Sequence, residues 1–488
     1  MSPGSQSDRA PAGASLAERA ISRAAGSRPV PGNRVSVLAD GPEVFPAMLE
    51  MISAADRWIH FENYIIRSDA TGWRFAEALG RRARAGLRVS VLYDWLGSVT
   101  TSRRLWAWLR RQGVAVRAFN PPRLVDLFSN ITRDHRKLVV ADGSSAILGG
   151  ICIGDEWAGR PEAGVSPWRD AAVSINGPAA AVLDQSFATV WRLAGPALPP
   201  EELAHTVPPA GHTVVQVVSG RPGRGRIYRI VELLAAGASE RLWITDAYLV
   251  APRPLLFTLR NAACEGVDVR LLVPGTSDIS LVRNLTRIGY RDLLGDGVRI
   301  WEWRGPMLHA KTQVTDGRWS RIGSSNLNPA SLLGNYELDV IVDDRGVAEQ
   351  LERRFRRDIT QGSEIVLDPG NPAWYRLRRR GPRRARLAAR QPDSPASPHR
   401  ATLRERRSHA VLTVRAVATG ARRSLYLPLV GALAVLAGLF VAAPRIMGYS
   451  FGALLGWLAV AAWLEGFRRR TTAGGTGQAG STKPGGLA

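Results

Sequence analysis

Between residues 34 and 370 short apolar runs alternate with amphipathic stretches. RVSVLAD (34–40), RWIHFENYII (57–66), LRVSVLYD (87–94) and VAVRAFN (114–120) are strand-length segments rich in β-branched and aromatic residues. RFAEALGRRARAG (74–86) and SRRLWAWLRRQG (102–113) place their apolar residues at helical spacing. Strands alternating with helices predict an α/β layer architecture around a largely buried sheet.

The same order then recurs. RLWITDAYLV (241–250) echoes 57–66, GVDVRLLVP (266–274) echoes 86–94, and GDGVRIWEW (295–303) echoes 111–120. His135 and His309 lie 174 residues apart, as do Asp142 and Asp316, and Gly149 and Gly323. One offset shared by three motif positions indicates an internal duplication. The predicted fold is therefore two duplicated α/β halves with mixed sheets, 34–205 and 206–370, forming one pseudo-two-fold catalytic unit.

Outside this unit the pattern changes. Residues 1–33 are small, polar and Pro/Gly-rich without an apolar core, which predicts a disordered leader rather than a secretory signal. Residues 371–424 read as a flexible polybasic linker, with fifteen arginines between 376 and 423. Two uncharged apolar runs follow, 425–443 and 446–464, separated only by Pro444 and Arg445. Nineteen residues of helix span roughly 28 Å, about one hydrocarbon thickness, so 425–465 predicts a C-terminal transmembrane helical hairpin. Arginines before 425 and at 468–470 predict that both ends stay cytoplasmic at the inner membrane, with a basic, Gly-rich tail over 466–488.

Composition narrows the chemistry. Net charge is +23, which favours an anionic partner: nucleic acid, acidic membrane or a phosphate-bearing substrate. The two cysteines, Cys152 and Cys264, argue against a disulfide framework or a Cys-based zinc site. Lysine occurs only at 137, 311 and 483; every other basic position is arginine. Two of the three lysines stand two residues after a histidine and five before an aspartate, in HRKLVVAD and HAKTQVTD.

On a strand, residues i and i+2 share a face, so His135 and Lys137 are expected to project together, as are His309 and Lys311. Two imidazoles on opposite sides of one phosphorus supply a nucleophile and a general acid. Each lysine brings a compact charge for non-bridging phosphate oxygens, where an arginine fork is too broad. Asp142 and Asp316 are each followed by glycine, the mark of a tight hairpin turn, so a structural role stands beside a chemical one. Tyr64 and Tyr248 fall at equivalent strand ends, where core packing is expected. His60, His205, His212, His399 and His409 are expected to be structural or solvated, and Trp457 and Trp463 to lie at the bilayer.

The duplicated H-x-K-x4-D, each copy followed by a glycine-containing segment, resembles the phospholipase D superfamily over roughly residues 34–370. DHRKLVVADGSSAILGGICIGDEW and HAKTQVTDGRWSRIGSSNLNPASLLGNYELDV look most like bacterial cardiolipin synthases. The resemblance implies that His135 forms a phosphohistidine and that His309 acts as acid and then base. It further implies phosphate-binding and supporting roles for Asn326 and Ser324, and carboxylates at Asp170 and Glu337 that orient the imidazoles. No metal or other cofactor is implied. The expected substrate is phosphatidylglycerol in a membrane; nucleic acid is not expected, and no protein partner is identified. The chain departs from the family where Cys152 replaces the usual Asn, and in carrying its apolar segments after the catalytic part. A hydrolytic phospholipase D, a nuclease of the superfamily and a silent membrane scaffold are the competing readings.

Overall fold

A computed structural model describes residues 15–122, 132–204, 206–368 and 371–378. The apolar runs at 425–443 and 446–464, most of the polybasic stretch and the tail lie outside the described residues. Among the described residues, no helix is long and apolar enough to cross a membrane.

The first half contributes seven strands: β1 (Val30–Ala39), β2 (Trp58–Asn63), β3 (Arg88–Asp94), β4 (Ala115–Phe119), β5 (Lys137–Ala141), β6 (Ser145–Gly149) and β7 (Ala171–Asn176). The second repeats them as β8 (Thr213–Gly220), β9 (Arg241–Thr245), β10 (Asp268–Pro274), β11 (Arg299–Trp303), β12 (Thr312–Thr315), β13 (Trp319–Gly323) and β14 (Glu337–Asp343). It then adds β15 (Ser363–Asp368) and β16 (Asn371–Arg378) at its outer edge.

The two halves have the same strand order, β4-β3-β2-β5-β6-β7-β1 and β11-β10-β9-β12-β13-β14-β8, and β1 pairs antiparallel with β8 at the seam. Within each half three strands are parallel, β2 with β3 and β4, and β9 with β10 and β11. Parallel neighbours need crossover connections. Helices Ala70–Arg84 and Arg103–Arg111 make them in the first half, and Arg253–Cys264 makes the first of them in the second.

The seam is a continuous apolar core rather than a contact between separate bodies. Leu148, Val173 and Ile175 of one half cluster with Ile322, Val340 and Val342 of the other. Helices Pro178–Trp191 and Arg345–Gln361, which follow β7 and β14, add Leu183, Phe187, Val347 and Leu351 to the same core. Full burial of each such side chain is worth about 1.5–3 kcal/mol, so the core holds the two histidine-bearing strands in one frame.

Two stretches read as irregular from sequence are regular. Leu16–Ala25, inside the segment expected to be a disordered leader, is a helix. Ser15 and Glu18 close a capping box at its start, and Ile21, Ala24 and Ala25 join the second half's core beside helix Arg226–Ala236. Residues 371–378, at the head of the stretch read as linker, form β16 and pair with β15.

Candidate active site

His135 and His309 precede β5 and β12, next to the ends of β2 and β9 (Asn63 pairs with Lys137, and Thr245 with Thr312). Each is fixed by backbone bonds from the opposite half. The His135 N–H donates to the Tyr336 carbonyl at 2.9 Å, and the His309 N–H donates to the Arg169 carbonyl at 2.7 Å. These contacts extend two isolated parallel bridges, Asp134 with Tyr336 and Arg169 with Leu308. The duplication is thus crossed: each half builds the shelf that carries the other half's histidine.

The carboxylates are crossed in the same way. His135 Nδ1 lies 3.0 Å and 3.1 Å from the two Glu337 oxygens, and His309 Nδ1 lies 2.8 Å from Asp170 Oδ2. Because both carboxylates sit below the usual carboxylate range, each Nδ1 carries the proton, which leaves Nε2 as the ring atom free for chemistry. Burial alone would raise Asp170 and Glu337; the paired imidazoles, their hydrogen bonds and the nearby lysines reverse that.

Further donors hold the carboxylates. Ser324 Oγ donates to Glu337 Oε2 at 2.5 Å, and Ser331 Oγ donates to Oε1. Asp170 accepts from Trp157 Nε1 at 3.1 Å and from the Ala171 N–H at 2.8 Å. Trp157 and Ser331 stand 174 residues apart, so one position in the repeat holds the carboxylate with an indole in one half and a hydroxyl in the other. Neither was singled out from sequence, although the offset already marked them as equivalent. Gly150 is the counterpart of Ser324. A Cβ there would come within 2.1 Å of Asp170 Oδ1, so this half has room for no side chain at that position.

Lys137 and Lys311 are almost fully buried and sit behind the histidines. Lys137 Nζ donates to the His135 carbonyl at 2.5 Å, and Lys311 Nζ donates to that of His309. Burial pulls Lys311 down to about 8, and the Lys137 charge adds to the shift. The two ammonium groups therefore feel each other across the floor of the site.

The aspartates of the two motifs lie elsewhere. Five residues of strand put each about 16 Å from its lysine. Asp142 accepts from the backbone N–H groups of Asp56, Arg57 and Trp58 at 2.7–3.0 Å. Asp316 does the same for Ser239, Glu240 and Arg241 at 2.9–3.0 Å. Their φ values of 53° and 52°, each followed by a positive-φ glycine, show why Asp-Gly stands there. Both aspartates fasten a hairpin turn to the start of β2 or β9, and neither lines the cavity.

The histidines open on one cavity of about 530 Å³. Tyr64 and Tyr248, expected to be core residues, form part of its wall and meet the imidazoles edge-on, with ring centroids 4.8 Å from His135 and 6.0 Å from His309. Burial pushes the Tyr64 hydroxyl up to about 12, and Tyr248 is raised further while donating to Asp278 at 2.7 Å. Trp157 and Trp168 complete the His309 side. Asn326 lines the cavity with its Oδ1 buried and unpartnered, and Cys152 is its counterpart, 174 residues earlier. The Cys152 thiol is raised by burial despite the two lysines, which keeps it protonated.

Burial also lowers both histidines. For His135 the Glu337 charge opposes the shift; His309 falls to about 4 because Lys311 adds to the effect of burial. Both rings are thereby biased toward the neutral form, with Nε2 as the acceptor. A bound phosphodiester anion opposes the lysine charges and makes protonation of one ring easier. Among the described residues, no group of three His, Cys, Asp or Glu is arranged to hold a metal ion.

Comparison with known proteins agrees with this architecture. The sequence profile of a family described as cardiolipin synthase, PLD-like domain, matches residues 231–359. Cardiolipin synthase A of Pseudomonas entomophila is 35% identical over 358 residues, covering 73% of this chain and 74% of its own length. That of Pseudomonas aeruginosa is 34% identical over 361 residues, 73% of each chain. The crystal structure of phosphatidylserine synthase from Haemophilus influenzae superposes with a TM-score of 0.56 at 16% identity, over 72% of this chain and 92% of that one; the likeness is one of fold.

Proposed function

Starting from the premise that the chain belongs to the cardiolipin synthase family and is a phosphatidyltransferase of the phospholipase D type, we propose that it joins two phosphatidylglycerol molecules into cardiolipin and glycerol. In the first step His135 Nε2 attacks the phosphorus of one phosphatidylglycerol. The bond from phosphorus to the glycerol headgroup breaks, and His309 gives its proton to the departing alkoxide. The headgroup hydroxyl of a second phosphatidylglycerol then loses its proton to His309 and attacks the phosphohistidine. The phosphorus–nitrogen bond breaks, and cardiolipin leaves.

The observation that carries this reading is the crossed pair, His135 with Glu337 and His309 with Asp170, around one cavity. Glu337 and Asp170 stabilise whichever imidazole becomes charged. Lys137 and Lys311 supply positive potential at the floor, and Asn326 offers its amide to a phosphate oxygen. Ser324 acts through Glu337. The two sites are built alike, each imidazole on a carboxylate from the other half, so the exchanged assignment, with His309 as nucleophile and His135 as acid, is the second reading.

The apolar runs 425–443 and 446–464 would anchor the enzyme in the inner membrane with its catalytic part on the cytoplasmic side. The arginines of 376–423 would add about 1 kcal/mol each where they lie near anionic lipid. The test is incubation of the full chain with phosphatidylglycerol labelled separately in its headgroup and its diacylglycerol part. Cardiolipin and free glycerol in equal amounts support the proposal. Phosphatidic acid as the main lipid product makes water the acceptor and the enzyme a hydrolase. Cleavage of DNA without any lipid product would replace both.

A further inference from the structure

Two loops beside the cavity mouth hold large apolar side chains in solvent. They follow β3 and β10, which occupy equivalent places in the two halves and run parallel to β2 and β9, so they end on the same side of the sheet as Tyr64 and Tyr248 of the cavity wall. The first loop carries Leu96 and Val99, 49% and 54% exposed. It is tied to the cavity wall through Ser98, whose Oγ donates to the Tyr64 carbonyl at 3.2 Å and accepts from the Ile66 N–H at 3.1 Å.

The second loop carries Ile279, which lines the cavity and is 47% exposed. It runs directly into helix Ser280–Ile288, where Leu285 and Ile288 lie one turn apart on one face and are 42% and 76% exposed. Arg287 of that helix pairs with Glu302, at 2.7 Å. Beside the first loop, Arg103 and Arg104 are exposed. Apolar side chains scattered singly need no explanation, but a cluster on two symmetry-equivalent segments beside one cavity does.

The size of the cavity identifies what covers them. About 530 Å³ suits a headgroup and its phosphodiester, not two phospholipids with four acyl chains. The chains must stay in the lipid phase while phosphorus reaches the histidines, so the mouth has to rest against a bilayer. Exposed aliphatic side chains flanked by arginine match an anionic interface.

We infer that the loops after β3 and β10, with helix Ser280–Ile288, form a two-lobed surface that seats the mouth of the cavity on an anionic bilayer. The inference rests on a phospholipid substrate and concerns a surface separate from the C-terminal apolar runs. Lipid then enters from the membrane side, between the lobes, without leaving the bilayer.

The test uses the full chain reconstituted in phosphatidylglycerol-containing vesicles. An environment-sensitive fluorophore is placed at Ile288→Cys in a Cys264→Ser background, with Glu349→Cys on helix Arg345–Gln361 as reference. Brominated acyl chains should quench the probe at 288 and spare the one at 349; equal quenching, or none at 288, overturns the inference. In parallel, Leu285→Ser/Ile288→Ser and Leu96→Ser/Val99→Ser should each lower the rate on vesicles tenfold or more. Their rates on monomeric short-chain phosphatidylglycerol should stay within twofold of wild type. Unchanged rates on vesicles contradict docking. Should the wild-type chain turn over neither substrate, the assigned activity fails, while quenching still decides the docking question.

Discussion

Asp170→Asn separates an orienting carboxylate from a bystander. Asp170 is fully buried, accepts a hydrogen bond from His309 Nδ1 at 2.8 Å, and is itself held by Trp157 and the Ala171 N–H. The amide keeps the size and removes the charge. A hydrogen bond to a charged group is worth about 1.5–3 kcal/mol, and it matters most when His309 is protonated, so its loss alone costs about 10- to 150-fold. An amide that turns its NH2 toward Nδ1 also drives the ring proton onto Nε2, the wrong tautomer for accepting a proton, which adds about another tenfold. The combined fall in kcat is about 10²–10³-fold, with little change in KM. The assay is initial-rate glycerol release from headgroup-labelled phosphatidylglycerol in mixed micelles, with the unfolding midpoint measured on each sample. Asp142→Ala is the control. It strips three backbone N–H groups of their acceptor, so it should cost about 2–4 kcal/mol of stability while the folded fraction keeps its rate within twofold. A folded Asp170→Asn enzyme within threefold of wild type would refute the reasoning, as would an equal loss of rate per folded molecule in Asp142→Ala.

Acid should destabilise the fold in a defined window. His309 lies at about 4 in the folded chain and near 6.5 when unfolded, so the stability from keeping it neutral is present above pH 6.5 and lost as pH falls toward 4. The loss is about 3 kcal/mol, and unfolding midpoints between pH 7 and 4 should fall less in His309→Gln than in wild type. The depressed Asp170 and Glu337 carboxyls extend the loss below that window. Cys152→Ala should leave kcat within threefold, because the buried thiol stays protonated; a collapse to the level of His135→Ala would make the thiol a reactant. Cys152→Asn places an amide opposite Asn326 and should raise kcat/KM up to about tenfold, with a tenfold fall as the contrary result.

The histidines and lysines were legible because a strict offset marks them, and because lysine is so scarce that its two placements carry information. The crossing of partners was not. That His135 meets Glu337 follows from the antiparallel seam of β1 with β8, which brings residues about 200 positions apart into contact, and no local pattern encodes it. Tyr64 packs against the first half's core as expected, but it and Tyr248 also wall the cavity, because an apolar run ending at a strand terminus looks the same whether it faces a core or a cavity. Helix Leu16–Ala25 was missed because its Ala- and Arg-rich composition resembles a disordered leader, although the Ser15–Glu18 spacing was there to be read. Asp142 and Asp316 show the opposite case, in which the Asp-Gly signal alone pointed to the turn that the structure contains.

The claim that two imidazoles, one from each half, act on a single phosphorus is tested most directly by trapping the intermediate. Full-length enzyme turning over phosphorus-labelled phosphatidylglycerol is quenched in alkaline denaturant, which preserves phosphohistidine, and its peptides are mapped. Label should appear on His135, accumulating during turnover in step with glycerol release and disappearing as cardiolipin forms. Label on His309 instead would exchange the two roles. Cardiolipin accumulating while neither histidine is labelled at any quench time would contradict the mechanism.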